Sequence, residues 1–368
     1  MKKCKRLYGL NSLGLLPLLV LFLALYAPAR GSEEPFVSPE AAPAGLTVSA
    51  PAPEARSHPT AVPAPLPAEA PAAFVPAPAE TASPDKSVLL RILDGGEVLE
   101  LDLHDYLTGV VAAEMPASFT PEALEAQAVA ARTDTLYRML IARPHRDADG
   151  CTDPGCCKAY LAPSELRSFW GADYDRWLEK VEAAVTATDG QILTYGGEPI
   201  FAAFHAASAG ETECSENVWI AALPYLRAVS TPETEAEVPG FTAEVRFAPE
   251  ELREYLSRVE GASLGEDPET WLTGAEYSDA GRLLSVTVGG REVSGTAFRA
   301  LLGLRSTSLT WSFGAEGFTF VTRGYGHGVG LSQYGAEVMA RAGAGSGEIL
   351  LHYYAGAALG SLEDVFFG

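Results

Sequence analysis

One glutamate, Glu114, is the first candidate for a proton donor. It lies in the apolar run VVAAEMP at residues 110–116, where one predicted helix ends before the next begins. A carboxyl group that is partly removed from water favours its protonated form, and a protonated carboxyl near neutral pH is a general acid. A solvated glutamate at a helix end is the simpler alternative. Arg132, on the following predicted helix, could pair with Glu114 or contact a substrate, although a surface salt bridge would also explain it.

Four residues that commonly bind metals lie close together in a loop rich in proline and glycine. They are His145, Cys151, Cys156 and Cys157. One histidine and three cysteines suit a tetrahedral Zn²⁺ ion, which would stabilise a loop with little apolar content. Their spacing, H-x5-C-x4-C-C, is not that of a standard zinc finger. Two alternatives stay open: a disulfide between Cys151 and Cys156, or a cysteine hydrolase in which Cys157 is the nucleophile and a distant histidine its base.

A glycine-rich stretch, GYGHGVG, covers residues 324–330 and leaves His327 prominent. Glycine at alternate positions removes side chains from one face of an extended segment, so that another backbone or a ring can lie against it. The residues just after it, Gln333 and Tyr334 among them, would suit a sugar, which presents apolar faces and hydroxyl edges. His205, at the end of an apolar strand, could face a polar cleft. A structural histidine and a plain glycine-rich turn are the simpler alternatives.

Helices and strands must position these residues, and the sequence predicts both. Alternation of apolar and polar residues at 88–92 and 97–103, around Asp94-Gly95-Gly96, predicts a hairpin. Asp105 is predicted to cap a helix that ends near residue 113, and Thr120-Pro121 to begin a helix that ends near residue 141. The other predicted elements are a helix at 164–188, strands at 191–195, 200–206, 283–288 and 318–322, and a helix at 332–342. Because helices and strands mix without regular alternation, the predicted class is α+β.

Composition divides the 368 residues into three zones. Residues 1–30 join basic residues to an apolar run and predict an export signal, either a cleaved signal peptide or a retained membrane anchor, so the rest of the chain is predicted to lie outside the cytoplasm. Residues 31–86 hold 13 of the 26 prolines and predict a disordered Ala/Pro-rich linker. Residues 87–368 are predicted to form the globular body, with a possible sub-lobe at 231–281. The net charge of −22 argues against nucleic acid as a partner.

Taken together, these segments resemble the SpoIID/LytB family of exported peptidoglycan-degrading proteins. The segments that carry the resemblance are DYLTGVVAAEMPASFTPEALEAQAVAAR at 105–132, DGQILTYGGEPIFAAFHAASAGETECSENVW at 189–219, PYLRAV at 224–229 and GYGHGVGLSQYGA at 324–336. The likeness extends over most of residues 90–358, in the same order throughout.

The resemblance implies a lytic transglycosylase that cleaves the bond between N-acetylmuramic acid (MurNAc) and N-acetylglucosamine (GlcNAc) in glycan strands and leaves 1,6-anhydro-MurNAc ends. It makes Glu114 the catalytic acid. It also implies a zinc loop with His and Cys ligands and a cell-wall amidase as the expected partner. The residues that it makes candidates for substrate binding are Arg132, Tyr225, Arg227, His205, His327, Gln333 and Tyr334. Part of the family is described as amidase enhancers, and this non-catalytic, wall-binding function is the alternative.

The sequence departs from the family pattern at several positions. Cys156-Cys157 stands where His-Cys is expected at the end of the zinc loop, Asp134 where an aromatic residue is usual, Ala209 where glycine is usual, and Arg227 where lysine is usual. None of these changes removes Glu114. A negatively charged body would be repelled by an anionic cell wall. We therefore expect a local basic groove around Arg132 and Arg227.

Overall fold

The computed structural model describes residues 83–219 and 221–367, so the predicted export signal or anchor and almost all of the predicted linker lie outside the described residues. The first part contains β1 (Leu89–Asp94), β2 (Glu97–Asp102), α1 (Leu103–Glu114), α2 (Pro121–Tyr137), β3 (Gly150–Cys151), α3 (Pro163–Trp170), α4 (Tyr174–Ala187), β4 (Gln191–Tyr195), β5 (Glu198–Pro199), β6 (Phe204–His205) and α5 (Ser215–Val218). The second part contains β7 (Thr242–Phe247), α6 (Pro249–Leu256), β8 (Leu272–Tyr277), β9 (Leu283–Val288), β10 (Arg291–Ser294), α7 (Gly295–Leu301), β11 (Leu309–Gly314), β12 (Gly317–Arg323), β13 (Leu331–Ser332), α8 (Gln333–Arg341), α9 (Ser346–Tyr353), β14 (Ala358–Ser361) and α10 (Leu362–Phe367).

The predicted hairpin is present as β1 and β2, which pair antiparallel from Leu89 with Asp102 to Asp94 with Glu97. Its two-residue turn is formed by the glycines at 95 and 96, both with positive φ, as such turns require. The next helix, α1, is capped by Asp102, whose side chain accepts a hydrogen bond of 2.9 Å from the Asp105 amide. The prediction of Asp105 as the cap was therefore wrong, because the last strand residue already supplies the capping carboxylate.

The helix predicted to begin at Thr120-Pro121 is α2, and it ends at Tyr137. The chain then makes one π-helical turn, Arg138–Ala142, which ends at Arg143 with a φ of 45°. Nearly every side chain of α2 between Ala123 and Leu136 is buried, because α1, α4, α8, α9 and β4 all pack around it. Its many alanines allow this close approach. This helix consequently lies at the centre of the hydrophobic core that it forms with these elements.

Two predicted elements differ from the structure. The single helix predicted at 164–188 is divided into α3 and α4, since Gly171 has a φ of 54° and interrupts the helical backbone. The strand predicted at 200–206 is reduced to β6, because the residues before it bond irregularly: the Ala203 amide donates to the Phe201 carbonyl at 3.0 Å. The strands predicted at 191–195, 283–288 and 318–322 and the helix at 332–342 are confirmed.

The body has two hydrophobic cores. The first joins α1, α2, α4, α8 and α9 to the hairpin. The second lies between β7, α6, β8 to β10, α7, β11 and β12, and includes the aromatic side chains of Trp271, Phe298, Phe318 and Phe320. We call the part of the body built around this core the second lobe. Because β12 also contributes side chains to the core, the second lobe extends well beyond the predicted sub-lobe at 231–281.

The sheets are small and contain two or three strands each, in the orders β2-β1-β3, β10-β9-β8, β11-β12-β7, β13-β6 and β14-β4-β5. Two of the pairings, β1 with β3 and β6 with β13, are parallel. This mixture of helices with small, mainly antiparallel sheets confirms the α+β class. Within residues 83–219 and 221–367, no helix has both the length and the apolar character needed to cross a bilayer.

The folded body begins slightly before the predicted boundary at residue 87. Asp85 and Lys86 belong to a short 3-10 turn, Asp85–Ser87, and the Asp85 side chain is fully buried. The Asp85 amide donates to the Asp189 carboxylate at 2.9 Å. The last residues assigned to the linker are therefore part of the fold.

Candidate functional site

Glu114 is the last residue of α1 and is partly exposed. Its Oε1 accepts a hydrogen bond of 3.1 Å from the Ala159 amide. Burial raises the pKa of Glu114 above its usual value, and this effect outweighs the opposing influence of the Ala159 amide, Lys158 and Gln333. The carboxyl end of a helix also disfavours a negative charge. This glutamate therefore holds its proton to higher pH than a solvated one would.

Helix α8 fixes the surroundings of Glu114 from the far end of the sequence. Gln333, 5% exposed, contacts Glu114 and donates from Nε2 to Gln127 Oε1 at 3.3 Å. Four residues on, Glu337 accepts hydrogen bonds from the amide and hydroxyl of Thr120, at 2.7 and 2.9 Å. Helix α8 thus contacts both ends of the loop between α1 and α2. This packing brings the predicted residue Gln333 next to Glu114.

A buried ionic cluster that the sequence did not predict lies next to Glu114. The Asp134 carboxylate pairs with the Lys158 ammonium and, at 2.7 Å, with Arg138 Nε. Burial alone would raise the pKa of Asp134, but Lys158 and Arg138 together hold that pKa below its usual value. In the sequence, the only indication of this cluster was that Asp134 stands where the family usually has an aromatic residue. That departure did not identify the partner, Lys158, which lies 24 residues away.

The four predicted metal ligands converge. The ligand atoms of His145, Cys151, Cys156 and Cys157 all lie within 4.8 Å of one another. His145 Nε2 is 3.4 Å from the Cys157 sulfur and 3.5 Å from the Cys156 sulfur, and the two sulfurs are 3.9 Å apart. Ligand bonds of about 2.0–2.3 Å around a tetrahedral zinc ion give separations of roughly this size. The donor set and its spacing fit zinc.

The protonation of these cysteines also bears on a metal ion. All three are free thiols in the described part of the chain, so the alternative Cys151–Cys156 disulfide is not formed. Burial, together with the neighbouring Cys157 sulfur, raises the pKa of Cys151 to about 12. Thiols this close resist ionisation unless a cation is present, and metal ligation supplies that charge. Cys157 is buried within the cluster, which favours a structural role for it over that of a nucleophile.

The two predicted histidines lie together, with ring centroids 5.6 Å apart. His205 Nε2 is 2.6 Å from the Ser208 hydroxyl, and His205 Nδ1 is 3.2 Å from the Val329 carbonyl. His327 Nδ1 accepts from the Val329 amide at 3.1 Å. Burial lowers the pKa of His205 well below its usual value and that of His327 to about 3. Both rings are therefore neutral at physiological pH.

The glycines around His327 allow the close packing that the sequence predicted. Gly330 has a φ of 72°, and a Cβ there would lie 2.0 Å from the Ala203 carbonyl oxygen. Gly328 has a φ of 81°, and a Cβ there would lie 2.2 Å from the guanidinium carbon of Arg282. Another backbone does lie against this segment, as predicted. The neighbour at Gly328 is an arginine of the second lobe.

Partly exposed rings form a continuous aromatic surface, made of Tyr137, Phe201, Trp219 and His327. Successive ring centroids are 5.7, 5.2 and 5.1 Å apart. The Arg138 guanidinium lies 5.7 Å from the Phe201 centroid and joins this surface to the ionic cluster beside Glu114. Tyr137 and Phe201 could not be identified from the sequence, since both lie in ordinary apolar patterns.

Two further candidates for substrate binding, Tyr225 and Tyr334, contact the residues around the aromatic surface and Glu114. The Tyr225 hydroxyl accepts from the Phe201 amide at 3.1 Å and so holds the backbone of the aromatic surface. Tyr334 is buried and packs edge-on against Phe119, with centroids 5.0 Å apart. Both side chains shape the surroundings of the aromatic surface and of Glu114.

The expected basic groove around Arg132 and Arg227 is not present. Arg132 is fully buried; its Nε lies 2.8 Å and its Nη2 2.6 Å from the two Asp85 oxygens. Arg227, 20% exposed, makes a bidentate pair with Glu216 at 2.5 and 2.7 Å. Each guanidinium is neutralised by a carboxylate, and Arg132 has no surface to offer a substrate. Arg132 is thus accounted for as a structural residue.

A separate cavity of about 560 Å³ lies at the second lobe. Its lining residues include Tyr277, Thr310 and Arg323 but no carboxylic acid and none of the predicted site residues. Without a carboxylic acid in its lining, this cavity offers no counterpart of Glu114.

Sequence comparison finds relatives that match about 70% of the chain. The family model "SpoIID: Stage II sporulation protein" matches residues 95–195, which include Glu114 and the cysteine loop. Stage II sporulation protein D of Bacillus amyloliquefaciens is 38% identical over 70% of this chain and 74% of its own length. The protein of that name from Bacillus subtilis (strain 168) is 36% identical over 73% and 77%, and the "Amidase enhancer" of the same strain is 27% identical over 69% and 40%. Since the first two relatives are matched over about three quarters of their lengths, the chain belongs to the SpoIID family of stage II sporulation proteins.

Proposed function

We propose that the protein is a peptidoglycan lytic transglycosylase that cleaves the MurNAc–GlcNAc bond of glycan strands and acts in sporulation or cell-wall remodelling. The observation that carries the proposal is the position of Glu114, a partly exposed carboxyl at a helix end whose pKa is raised by burial. A single carboxyl group can perform both proton transfers of this reaction, unlike the pair of carboxylates used by most glycoside hydrolases.

In the first transfer Glu114 gives its proton to the glycosidic oxygen, which leaves on the GlcNAc residue as the bond to MurNAc C1 breaks. The MurNAc 6-hydroxyl then attacks C1 and closes the 1,6-anhydro ring. Glu114, now a carboxylate, takes the hydroxyl proton and is restored. No water is consumed, and the protons balance on one side chain. A raised pKa favours the first transfer because the carboxyl starts out protonated.

The aromatic surface formed by Tyr137, Phe201, Trp219 and His327 supports a sugar polymer as substrate. Sugar rings have apolar faces that aromatic rings can cover, and their hydroxyl groups need polar partners at the edges. Gln333 supplies an amide beside Glu114 itself. We assign the glycan strand to this surface, with the scissile bond at Glu114.

The experiment for this function identifies the sugar ends that the purified protein makes. Peptide-free glycan strands are incubated with the protein, and the products are analysed by mass spectrometry. We expect 1,6-anhydro-MurNAc ends. Hydrated reducing ends would instead indicate a hydrolase, and their appearance in place of anhydro ends would rule out the mechanism above. Strands that retain their stem peptides, run in parallel, show whether an amidase must act first.

The similarity to a protein named amidase enhancer supports a second candidate function, in which the chain binds the wall or an amidase without cutting glycan. The same assay separates the two. An enhancer yields no new glycan ends when alone but accelerates peptide release by an added cell-wall amidase. A transglycosylase yields anhydro ends without the amidase.

We also propose that His145, Cys151, Cys156 and Cys157 hold a structural Zn²⁺ ion. When bound, the ion would supply the positive charge that the thiolates need. We expect the reduced protein to contain zinc in equimolar amount, and Cys157→Ser to lower both the zinc content and the melting temperature, the latter by roughly 5 °C or more. Elemental analysis and calorimetry measure these effects. Ser312→Ala, a change at an exposed position of β11 away from the ligands, is the control. A reduced protein with no bound metal would contradict the proposal.

The location follows from the proposed substrate, since peptidoglycan lies outside the cytoplasm. We propose that residues 1–30 direct export, as a cleaved signal or a retained anchor, and that residues 31–82 act as a spacer between this segment and the body. Both zones lie outside the described residues. Detection of the processed or unprocessed amino terminus by mass spectrometry would distinguish the two forms.

A further inference from the structure

We propose that the cavity at the second lobe is a further binding site for the glycan strand, in which the Arg323 guanidinium binds a carboxylate group carried by the strand. This inference rests on the proposed function, because it concerns the same substrate. It names the charged part of that substrate and gives the second lobe a role in binding it.

The cavity lies where the turn between β8 and β9 meets the first residues of β11 and the last residues of β12. Its volume of about 560 Å³ is within the range of roughly 300–1,000 Å³ that is usual for small-ligand sites. Tyr277 lines it with an aromatic ring, and Ser308 and Thr310 line it with hydroxyl groups. A ring beside hydroxyl groups suits a sugar, which has apolar faces and polar edges.

The charge of the lining favours an anion. Arg323 is exposed, and within the described part of the chain its guanidinium has no hydrogen bond or ion pair. Arg132 and Arg227, by contrast, are each neutralised by a carboxylate. On the sheet face that carries Arg323, Glu244 pairs with Arg246. Since the planar fork of a guanidinium matches a carboxylate, the cavity offers an unpaired cation to an anionic ligand.

One face of the segment 323–327 is packed against another backbone. A Cβ at Gly324 would lie 2.6 Å from the Ala207 carbonyl oxygen. The Tyr325 amide donates to the Ala207 carbonyl at 2.8 Å, and the Ala207 amide donates to the Tyr325 carbonyl at 3.1 Å. A Cβ at Gly326 would lie 2.9 Å from a side-chain carbon of the same neighbouring segment. Neither glycine leaves room for a side chain on this face.

The opposite face of the segment connects the cavity to the aromatic surface. It carries the side chains that alternate with the two glycines, namely Arg323, Tyr325 and His327. All three are at least partly exposed, Tyr325 by 39%. Four residues of chain reach at most about 14 Å, so the Cα of Arg323 lies within that distance of the Cα of His327. A glycan strand on the aromatic surface can therefore continue over the Tyr325 ring into the cavity.

The group on the strand that we assign to Arg323 is the lactyl carboxylate of MurNAc. This ether substituent is joined to the stem peptide by an amide bond, and hydrolysis of that bond leaves a free carboxylate on the sugar itself. GlcNAc has no such group. The carboxylates of an intact stem peptide lie further from the sugar rings, whereas a lactyl carboxylate can enter the cavity while the neighbouring rings stay on the aromatic surface.

The test is a measurement of binding by isothermal titration calorimetry with short peptide-free glycan oligomers. Glu114→Gln is present throughout so that the oligomers stay intact. One set of oligomers has free lactyl carboxylates, and in the other set these are converted into neutral methyl amides. We expect Arg323→Gln to weaken binding of the carboxylate set about tenfold or more, as loss of a hydrogen bond to a charged group does. Binding of the amide set should not change.

The matched control is Arg246→Gln, at an exposed position on the same sheet face, which should change binding of neither set. An equal loss for both sets in Arg323→Gln, or no loss with the carboxylate set, would overturn the proposal. Oligomers that retain their stem peptides test the source of the carboxylate. A loss confined to these oligomers would assign the cavity to the peptide and reject the lactyl group.

A second variant measures the effect of charge. Arg323→Glu should weaken binding of the carboxylate set more than Arg323→Gln does, because it adds repulsion, and equal binding by the two variants would contradict an electrostatic contact. Since Arg323 is exposed, both variants should keep the melting temperature of the parent, which calorimetry checks.

The two proposals can fail separately. Absence of anhydro ends with the parent protein would defeat the proposed function, yet a carboxylate-dependent loss of binding in Arg323→Gln would still establish the binding site. Anhydro ends, together with binding that does not depend on the lactyl carboxylate, would defeat only the role of Arg323.

Discussion

Glu114→Gln is expected to lower the production of anhydro-muramoyl ends by about 10³-fold or more, since general acid catalysis by a positioned side chain is typically worth ~10²–10⁴-fold. Glutamine has the shape of glutamic acid, and its oxygen can still accept the hydrogen bond from the Ala159 amide. It cannot give a proton to the glycosidic oxygen or recover one from the 6-hydroxyl. Both transfers fail, so rate is lost while the fold and glycan binding are kept.

The measurement is the initial rate of anhydro-end formation on peptide-free strands, with binding to the same strands measured separately. Glu100→Gln, the same change at an exposed position of β2, is the matched control and should leave the rate unchanged. In the parent protein, activity should fall as pH rises through the raised pKa of Glu114, because the protonated form is the donor. Undiminished product from Glu114→Gln would remove Glu114 from the reaction.

Asp85→Asn is expected to destabilise the folded body by about 3–5 kcal/mol, the usual cost of removing one partner from a buried ion pair. The Arg132 guanidinium makes three contacts of 2.6 to 2.9 Å with the Asp85 carboxylate, and both side chains are fully buried. Asparagine leaves the positive charge of Arg132 in the core without a counter-ion. At roughly 2–4 °C per kcal/mol for a body of this size, the melting temperature should fall by about 10 °C.

Calorimetry of Asp85→Asn and of Lys86→Met tests this directly, since Lys86 is the exposed neighbour on the same turn. Two shortened chains give a second test. A chain that starts at residue 83 keeps Asp85, whereas one that starts at residue 87 loses it and should show the same loss of stability. Equal melting temperatures for these two chains would mean that the pair contributes nothing, and that Arg132 has some other role.

The elements with a strong local signal could be predicted from the sequence. The Asp94-Gly95-Gly96 turn, the Thr120-Pro121 helix start and the alternating strand at 283–288 each depend on residues within one short window, and all are present. The convergence of the four ligand-type residues also followed from their closeness in sequence. In these cases the residues within a short window were sufficient to predict the local structure.

Long-range pairings could not be predicted in this way. Arg132 on a helix has the appearance of a surface residue, and its partner Asp85 lies 47 positions earlier, at the end of a proline-rich segment. Asp134 and Lys158 are likewise separated by 24 positions. Burial of a charge is decided by which distant elements pack around it, so a pattern within one window carries no information about it. Tyr137 and Phe201 of the aromatic surface were missed for the same reason, since distant elements bring their rings together.

The position of α8 against α1 and α2 has a consequence for the timing of maturation. Thr120 and Glu337 are 217 residues apart, and Gln127 and Gln333 are 206 apart, so the neighbourhood of the acid closes through contacts between the two ends of the body. Such distant contacts form late in folding, and a polypeptide emerges from the ribosome with its amino terminus first. A chain that ends before Gln333 would carry Glu114 without these neighbours, so the proposed glycan cleavage would begin only once synthesis is complete.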